Sequence, residues 1–248
     1  MCVILYKPKN VKLPKDNILF NCFMNNDDGA GYTYAVNNNV IVKKGFLNYT
    51  DFIKALKKDY KKYNLEKHNL ILHFRIGTSG GITKEKTQPF KISNNIKELN
   101  KLYVNNKKSS IVHNGVFYKF EYNKNNTSDT QNYIKDFLQP LLASGIKNKK
   151  DLIKDSLGYN SKIAVLNKKD NVFLYGEYYY YNGVYYSNNS WNNYQTKPHT
   201  IKYDFNGDTK TILENYNHEK TSGSNDYLKL WSYDYNLDEG HYIGDYYE

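Results

Sequence analysis

The second residue is where the chemistry starts: a cysteine stands directly behind Met1. Removal of Met1, which a small second residue permits, leaves a thiol and a free α-amine on one residue. An α-amine has a reference pKa of about 8, so it can serve as general base near neutral pH without a histidine partner. Taken alone, Cys2 also reads as an ordinary buried strand cysteine. Further along, the apolar run Ile111-Val112-His113 ends in Asn114-Gly115. A side-chain amide beside an unhindered glycine N–H offers two donors to one oxyanion, each worth on the order of 100- to 1000-fold in rate.

Two charged residues complete the set. Of the 35 basic residues, Arg75 is the single arginine, the rest being lysine. A genome bias explains lysine at ordinary surface positions but not the retained guanidinium, whose two-pronged donor geometry suits a carboxylate or phosphate. Chance survival is the competing explanation. Arg75 stands where an apolar run empties into the small-residue loop Gly77-Thr78-Ser79-Gly80-Gly81. Asp129 follows Ser128 at a helix start, where a carboxylate also stabilises the helix dipole.

The elements that must position these residues follow from periodicity. Cys2–Lys7, Ile18–Met24, Tyr32–Val36, Val40–Lys43, Leu70–Ile76 and Ile111–Tyr118 read as strands. The cluster from Asn26 to Gly31 reads as a turn between strands. Thr50 opens a helix through about Tyr63, with Phe52, Ile53, Leu56 and Tyr60 on its core face. Ser128-Asp129-Thr130-Gln131 is a capping-box pattern before Tyr133, Ile134, Phe137 and Leu138. A third helix runs from Asn148 to Leu157. Strands resume at Lys162–Asn167 and Val172–Gly176, and Asn182-Gly183 marks a tight hairpin within the tyrosine run of 178–186. Strands, then helices, then strands indicate an α+β sandwich.

The ordered series Met1-Cys2, Asp28-Gly29-Ala30-Gly31, Arg75–Gly80, Gln88-Pro89-Phe90, His113-Asn114-Gly115 and Ser128-Asp129-Thr130 resembles the motifs of class II glutamine amidotransferases. The small stand-alone members, including the γ-glutamyl amidohydrolase of ergothioneine synthesis, are the nearest likeness. The resemblance implies a four-layer αββα N-terminal-nucleophile hydrolase over residues 1–195. Cys2 would attack the γ-amide of glutamine or of another γ-glutamyl compound. Asn114 and Gly115 would form the oxyanion hole, Arg75 would hold the substrate α-carboxylate and Asp129 its α-ammonium, and Thr78 would line the pocket. Two positions depart from the pattern. Gln88 stands where the family often has histidine, and Ala30 where tryptophan is common, which would widen the pocket.

The bulk composition bounds the rest. No apolar run approaches the roughly 18 residues of a membrane helix, and the N-terminal stretch is too short for a signal peptide, so a cytoplasmic protein without membrane contact is expected. Two cysteines with no paired Cys/His spacing predict neither a disulfide framework nor a zinc site; no metal or cofactor is expected, and Cys22 reads as core. The net charge of +10 reads as a lysine-rich solvated surface. Nucleic-acid contact is the less favoured reading, since no binding module accompanies the charge. The chain is too short to hold a synthase domain, so an ammonia-accepting synthase would be a separate subunit. A non-catalytic binding protein on the same fold is the alternative. Residues 196–248 form a C-terminal extension whose last part, from Asn225, is acidic and tyrosine-rich, as an interface or a segment folded over the basic surface would be.

Overall fold

In chain order the elements are strand β1 (Val3–Lys7), helix α1 (Asp16–Asn25), strands β2 (Ala30–Val36) and β3 (Asn39–Phe46), and helix α2 (Tyr49–Lys62). Strand β4 (Leu70–Phe74), strand β5 (Phe90–Lys91), the single turn α3 (Ile96–Leu99), and strands β6 (Tyr103–Asn106) and β7 (Ser110–Asn114) follow. Then come α4 (Asp129–Tyr133), α5 (Gln139–Ala143), α6 (Lys149–Ser156), and strands β8 (Lys162–Leu166), β9 (Val172–Tyr175), β10 (Tyr178–Tyr181), β11 (Val184–Tyr186) and β12 (Tyr242–Ile243). This computed structural model describes residues 1–77, 81–122 and 126–192, and the backbone of 242–243. Thr78 and nearly all of the C-terminal extension lie outside the described residues.

The strands form two antiparallel sheets. The larger has the order β12-β10-β11-β1-β4-β2-β3-β6 and the smaller β5-β7-β8-β9. Strand alternation sorts the side chains into three apolar cores. Val3, Leu5, Tyr32, Tyr34, Leu72 and Phe74 leave one face of the large sheet and pack with Leu19, Cys22 and Phe23 of α1 and Phe52 and Leu56 of α2. Ile4, Val40, Val42 and Ile71 leave its opposite face and meet Val112, Ala164 and Leu166 of the small sheet. Ile111, Ile163 and Val165 face a third core with Tyr133, Ile134, Leu138 and Ile153. Each fully buried side chain of this size stabilises the fold by roughly 1.5–3 kcal/mol. The molecule is thus α+β with two antiparallel sheets.

Most of the expected elements are present, with instructive exceptions. Ile18–Met24 is helix, not strand: Leu19, Cys22 and Phe23 are its buried residues, the i, i+3, i+4 spacing of one helical face. The turn before Gly31 therefore joins a helix to a strand. Helix α2 is capped by Asn48, whose side chain accepts from Asp51 N, and not by Thr50. The Ser128 capping box forms in full, a device worth about 1 kcal/mol. The helix it opens continues beyond α4 through a wide π turn, Ile134–Leu138, into α5. Pro140 explains the widening, because its ring would clash with the carbonyl four residues back in a regular helix. Asn182 and Gly183 both have positive φ, 48° and 81°, as a two-residue hairpin turn requires.

Candidate active site

Register brings the first two candidates together. Val3 faces Phe74 across the β1–β4 ladder, so the next residue outward on each strand, Cys2 and Arg75, stand side by side at one end of the large sheet. The Asp28-Gly29 turn pins the departing chain on both sides. Arg75 N donates to Gly29 O at 2.7 Å, and Asp28 N donates to Arg75 O at 3.0 Å. Asp28 Oδ2 also accepts from Gly77 N at 2.5 Å. Gly29 holds φ at 123°, a conformation that favours glycine.

Cys2 is half-buried, and its thiol donates to Ile76 O at 3.6 Å. With Met1 in place, burial pushes the thiol above its ordinary pKa, while the Ile76 contact, the Arg75 guanidinium and the chain's N-terminal ammonium oppose that rise. The Arg75 side chain is buried, yet only part of its donor set is used. Nη2 donates to Gly81 O at 3.1 Å, whereas Nη1 has no hydrogen-bond partner among the described residues. An unmade bond at a buried charged group costs more than the roughly 1–3 kcal/mol of a neutral one. Lys86 lies within reach of its field: burial, then the Arg75 charge, lowers the Lys86 pKa. A cavity of about 260 Å³ opens beside Lys86, with Thr83, Asn100, Thr127 and Gln131 among its lining residues.

The end of β7 is built differently. His113 N donates to Gln88 Oε1 at 2.6 Å, and Gln88 Nε2 donates back to His113 O at 3.2 Å. The glutamine side chain thereby imitates a strand neighbour, and Gly31 makes room for its backbone: a Cβ there would stand 2.2 Å from Gln88 O. His73 Nε2 donates to the same His113 carbonyl at 3.0 Å. The His113 ring bonds Thr130 Oγ1 at 2.9 Å and stacks on Phe117 at 3.9 Å. Burial drives both imidazoles down to about 3, so they are neutral at physiological pH and serve as scaffold. Gly115 follows with φ of 143° and no space for a side chain, since a Cβ would meet Ser161 Oγ at 2.4 Å.

Asn114 is fully buried, and its side chain is tied to β1 through Ser187. Asn114 Nδ2 lies 2.9 Å from Ser187 Oγ, which also accepts from Ile4 N at 2.8 Å. Asn114 Oδ1 has no partner among the described residues. One residue on, Asn188 Nδ2 donates to Cys2 O at 2.6 Å. Asp129 meets the same neighbourhood from α4: its Oδ2 accepts from Phe117 N at 2.8 Å, fixing the loop that leaves Gly115.

The geometry thus brings Cys2 beside Arg75, links Asn114 to β1, and anchors Asp129 two residues beyond Gly115. Sequence reasoning missed Ser187, Asn188 and the double grip of Gln88. Each acts through a bond spanning at least 25 positions, and no local pattern marks them. Ala30, expected to widen a pocket, is fully buried in the core with Phe46 and Phe74 near it.

No protein-family model matches the chain, and no curated protein matches it. Among solved structures, it is similar to glutamine phosphoribosylpyrophosphate amidotransferase from B. subtilis, complexed with ADP and GMP. The identity is 15%, the match covers 77% of this chain and 42% of that one, and the TM-score is 0.40. The chain therefore spans less than half the length of that enzyme. Among the described residues, no helix is long and apolar enough to cross a membrane.

Proposed function

We propose that this protein is an amidohydrolase of the class II glutamine amidotransferase kind, which cleaves the γ-amide of glutamine through a thioester on Cys2. The observation that carries the reading is the pairing of Cys2 with a buried, half-satisfied Arg75 at one sheet end, with Asn114 tethered to the same strand. The three apolar cores support an αββα layering, with α1 and α2 outside the large sheet and α4 to α6 outside the small one.

The chemistry follows from the residues. Loss of Met1 gives Cys2 its own α-amine, which takes the thiol proton. The thiolate attacks the γ-carbonyl carbon, and the carbonyl π pair moves to oxygen, where the Asn114 side-chain N–H and the Gly115 N–H stabilise it. Collapse breaks the C–N bond, and the α-ammonium returns its proton to the departing nitrogen, which leaves as ammonia. Water, deprotonated by the same amine, then cleaves the thioester, giving glutamate and the free thiol. Arg75 Nη1 holds the substrate α-carboxylate, Asp129 holds the α-ammonium, and Thr78 lines the pocket. A separate synthase subunit would receive the ammonia.

Kinetics of head-group variants test the reading. Arg75→Lys keeps the charge but loses the fork, so glutamine kcat/KM should fall at least roughly 10-fold, about 1.4 kcal/mol. Asp129→Asn should do likewise. Near-normal ammonia release in both variants would remove an amino-acid substrate from the account.

A further inference from the structure

Ser187 is fully buried at the end of β11, far in sequence from every residue of the proposed reaction. Its hydroxyl sits between two strands: Ile4 N donates to Oγ at 2.8 Å, and the Asn114 side-chain amide lies 2.9 Å away on the other side. Ser187 N also donates to Ile4 O at 3.0 Å, so the residue is fixed to β1 by two bonds. Its position is thus set by the strand that carries Cys2.

With the Asn114 nitrogen toward Ser187, the hydroxyl oxygen accepts twice, and its hydrogen meets no acceptor among the described residues. Asn114 Oδ1 is then buried without a donor. Two groups are left unsatisfied in one enclosed site, each costing roughly 1–3 kcal/mol by general experience. A half-turn of the amide removes both faults. The Ser187 hydroxyl then donates to Oδ1 while still accepting from Ile4 N, and the NH₂ moves to the side where Oδ1 had no partner. The orientation of an amide is assigned from the bonds it makes, and this one pairs both the Ser187 hydroxyl and Asn114 Oδ1, leaving only the NH₂ donors without an acceptor among the described residues.

We infer that Ser187 is a positioning residue: its hydroxyl, held by Ile4, donates to the Asn114 side-chain carbonyl and turns the Asn114 NH₂ toward the developing oxyanion. This rests on the glutaminase reading for its catalytic consequence, but the orientation itself does not. In this arrangement both amide hydrogens are free for the substrate. Coupling through β1 also fixes the distance between donor and nucleophile, because Ile4 lies two residues from Cys2.

Ser187→Ala in the full chain should lower kcat for glutamine at least 10-fold and leave KM within about twofold, since the lost interaction belongs to the transition state. Alkylation of Cys2 by iodoacetamide needs no oxyanion donor and should keep its rate within about twofold. Ser187→Thr retains the hydroxyl and should recover kcat to within about threefold of wild type. An unchanged kcat in Ser187→Ala, or equal losses of turnover and alkylation, would overturn the inference, the latter because Ser187 would then merely hold the fold. Neutron diffraction of the wild-type protein reads the amide directly. Deuterium on the Asn114 atom facing Ser187 contradicts the inference; a Ser187 O–D pointing at a bare Oδ1 supports it. If wild-type protein releases no ammonia from glutamine, the proposed function fails, and the neutron map alone still decides the role of Ser187.

Discussion

The two strand ends that build the site are bonded in opposite ways. At the end of β7 the scaffold around His113 is over-determined, although the Asn114 side-chain oxygen has no partner among the described residues. His113 is held through its backbone by Gln88 and His73 and through its ring by Thr130 and Phe117. At the β1–β4 end the backbone is equally well pinned, but the Cys2 and Arg75 side chains are left short of partners. The Cys2 thiol has one long contact, and Arg75 Nη1 has none among the described residues. This is the division that the proposed oxyanion catalysis calls for. Donors stabilise a developing charge best when they need not reorganise, whereas the nucleophile and the substrate clamp must be free to engage something new.

That contrast can be broken from either side. The largest effect should come from Asn114→Ala, which removes a donor from the rigid end. Its kcat should fall on the order of 100- to 1000-fold with little change in KM; retention of kcat within about threefold would make β7 a structural strand only. Gln88→Ala acts one step back. It strips two bonds from a buried backbone segment and should destabilise the fold by about 1–3 kcal/mol in urea unfolding, with kcat falling more than KM. A loss of stability with intact kcat would show that the grip on His113 serves folding alone.

A smaller test concerns the protons on the rigid end. The pKa of both His73 and His113 is lowered to about 3 from 6.5. Folded protein therefore binds fewer protons than unfolded protein between those values, so the stability these residues permit is complete above about pH 6.5 and declines as pH falls toward about 3. Long-range proton–nitrogen spectra at about pH 5.5 should show both rings neutral. A ring titrating near its ordinary value would mean that water reaches the end of β7.

Many of the strands were legible in the sequence, because alternation and turn chemistry are local. β1 to β4, the β8–β9 pair and the Asn182-Gly183 hairpin can all be read in this way. The helix α1 was not, since Ile18–Met24 is rich in strand-forming residues and its burial at helical spacing depends on the sheet it covers. The residues that hold the site are equally hidden. Ser187 follows a run of tyrosines with no motif around it, and its importance arises only when β11 pairs with β1 and brings its hydroxyl to Asn114. Gln88 was legible as a departure from the family pattern, but its role as a two-way backbone partner needs the fold. Thr78 and nearly all of the acidic tail lie outside the described residues.

The central claim is that Cys2, as the first residue of the mature protein, forms a glutamyl thioester. Mass spectrometry of active protein quenched in acid during glutamine turnover tests it most directly. The account predicts a chain lacking Met1, with a γ-glutamyl adduct on the peptide that begins at Cys2, and no adduct in Cys2→Ser protein. Full activity in a chain that retains Met1, or an adduct on Cys22 in place of Cys2, would contradict it.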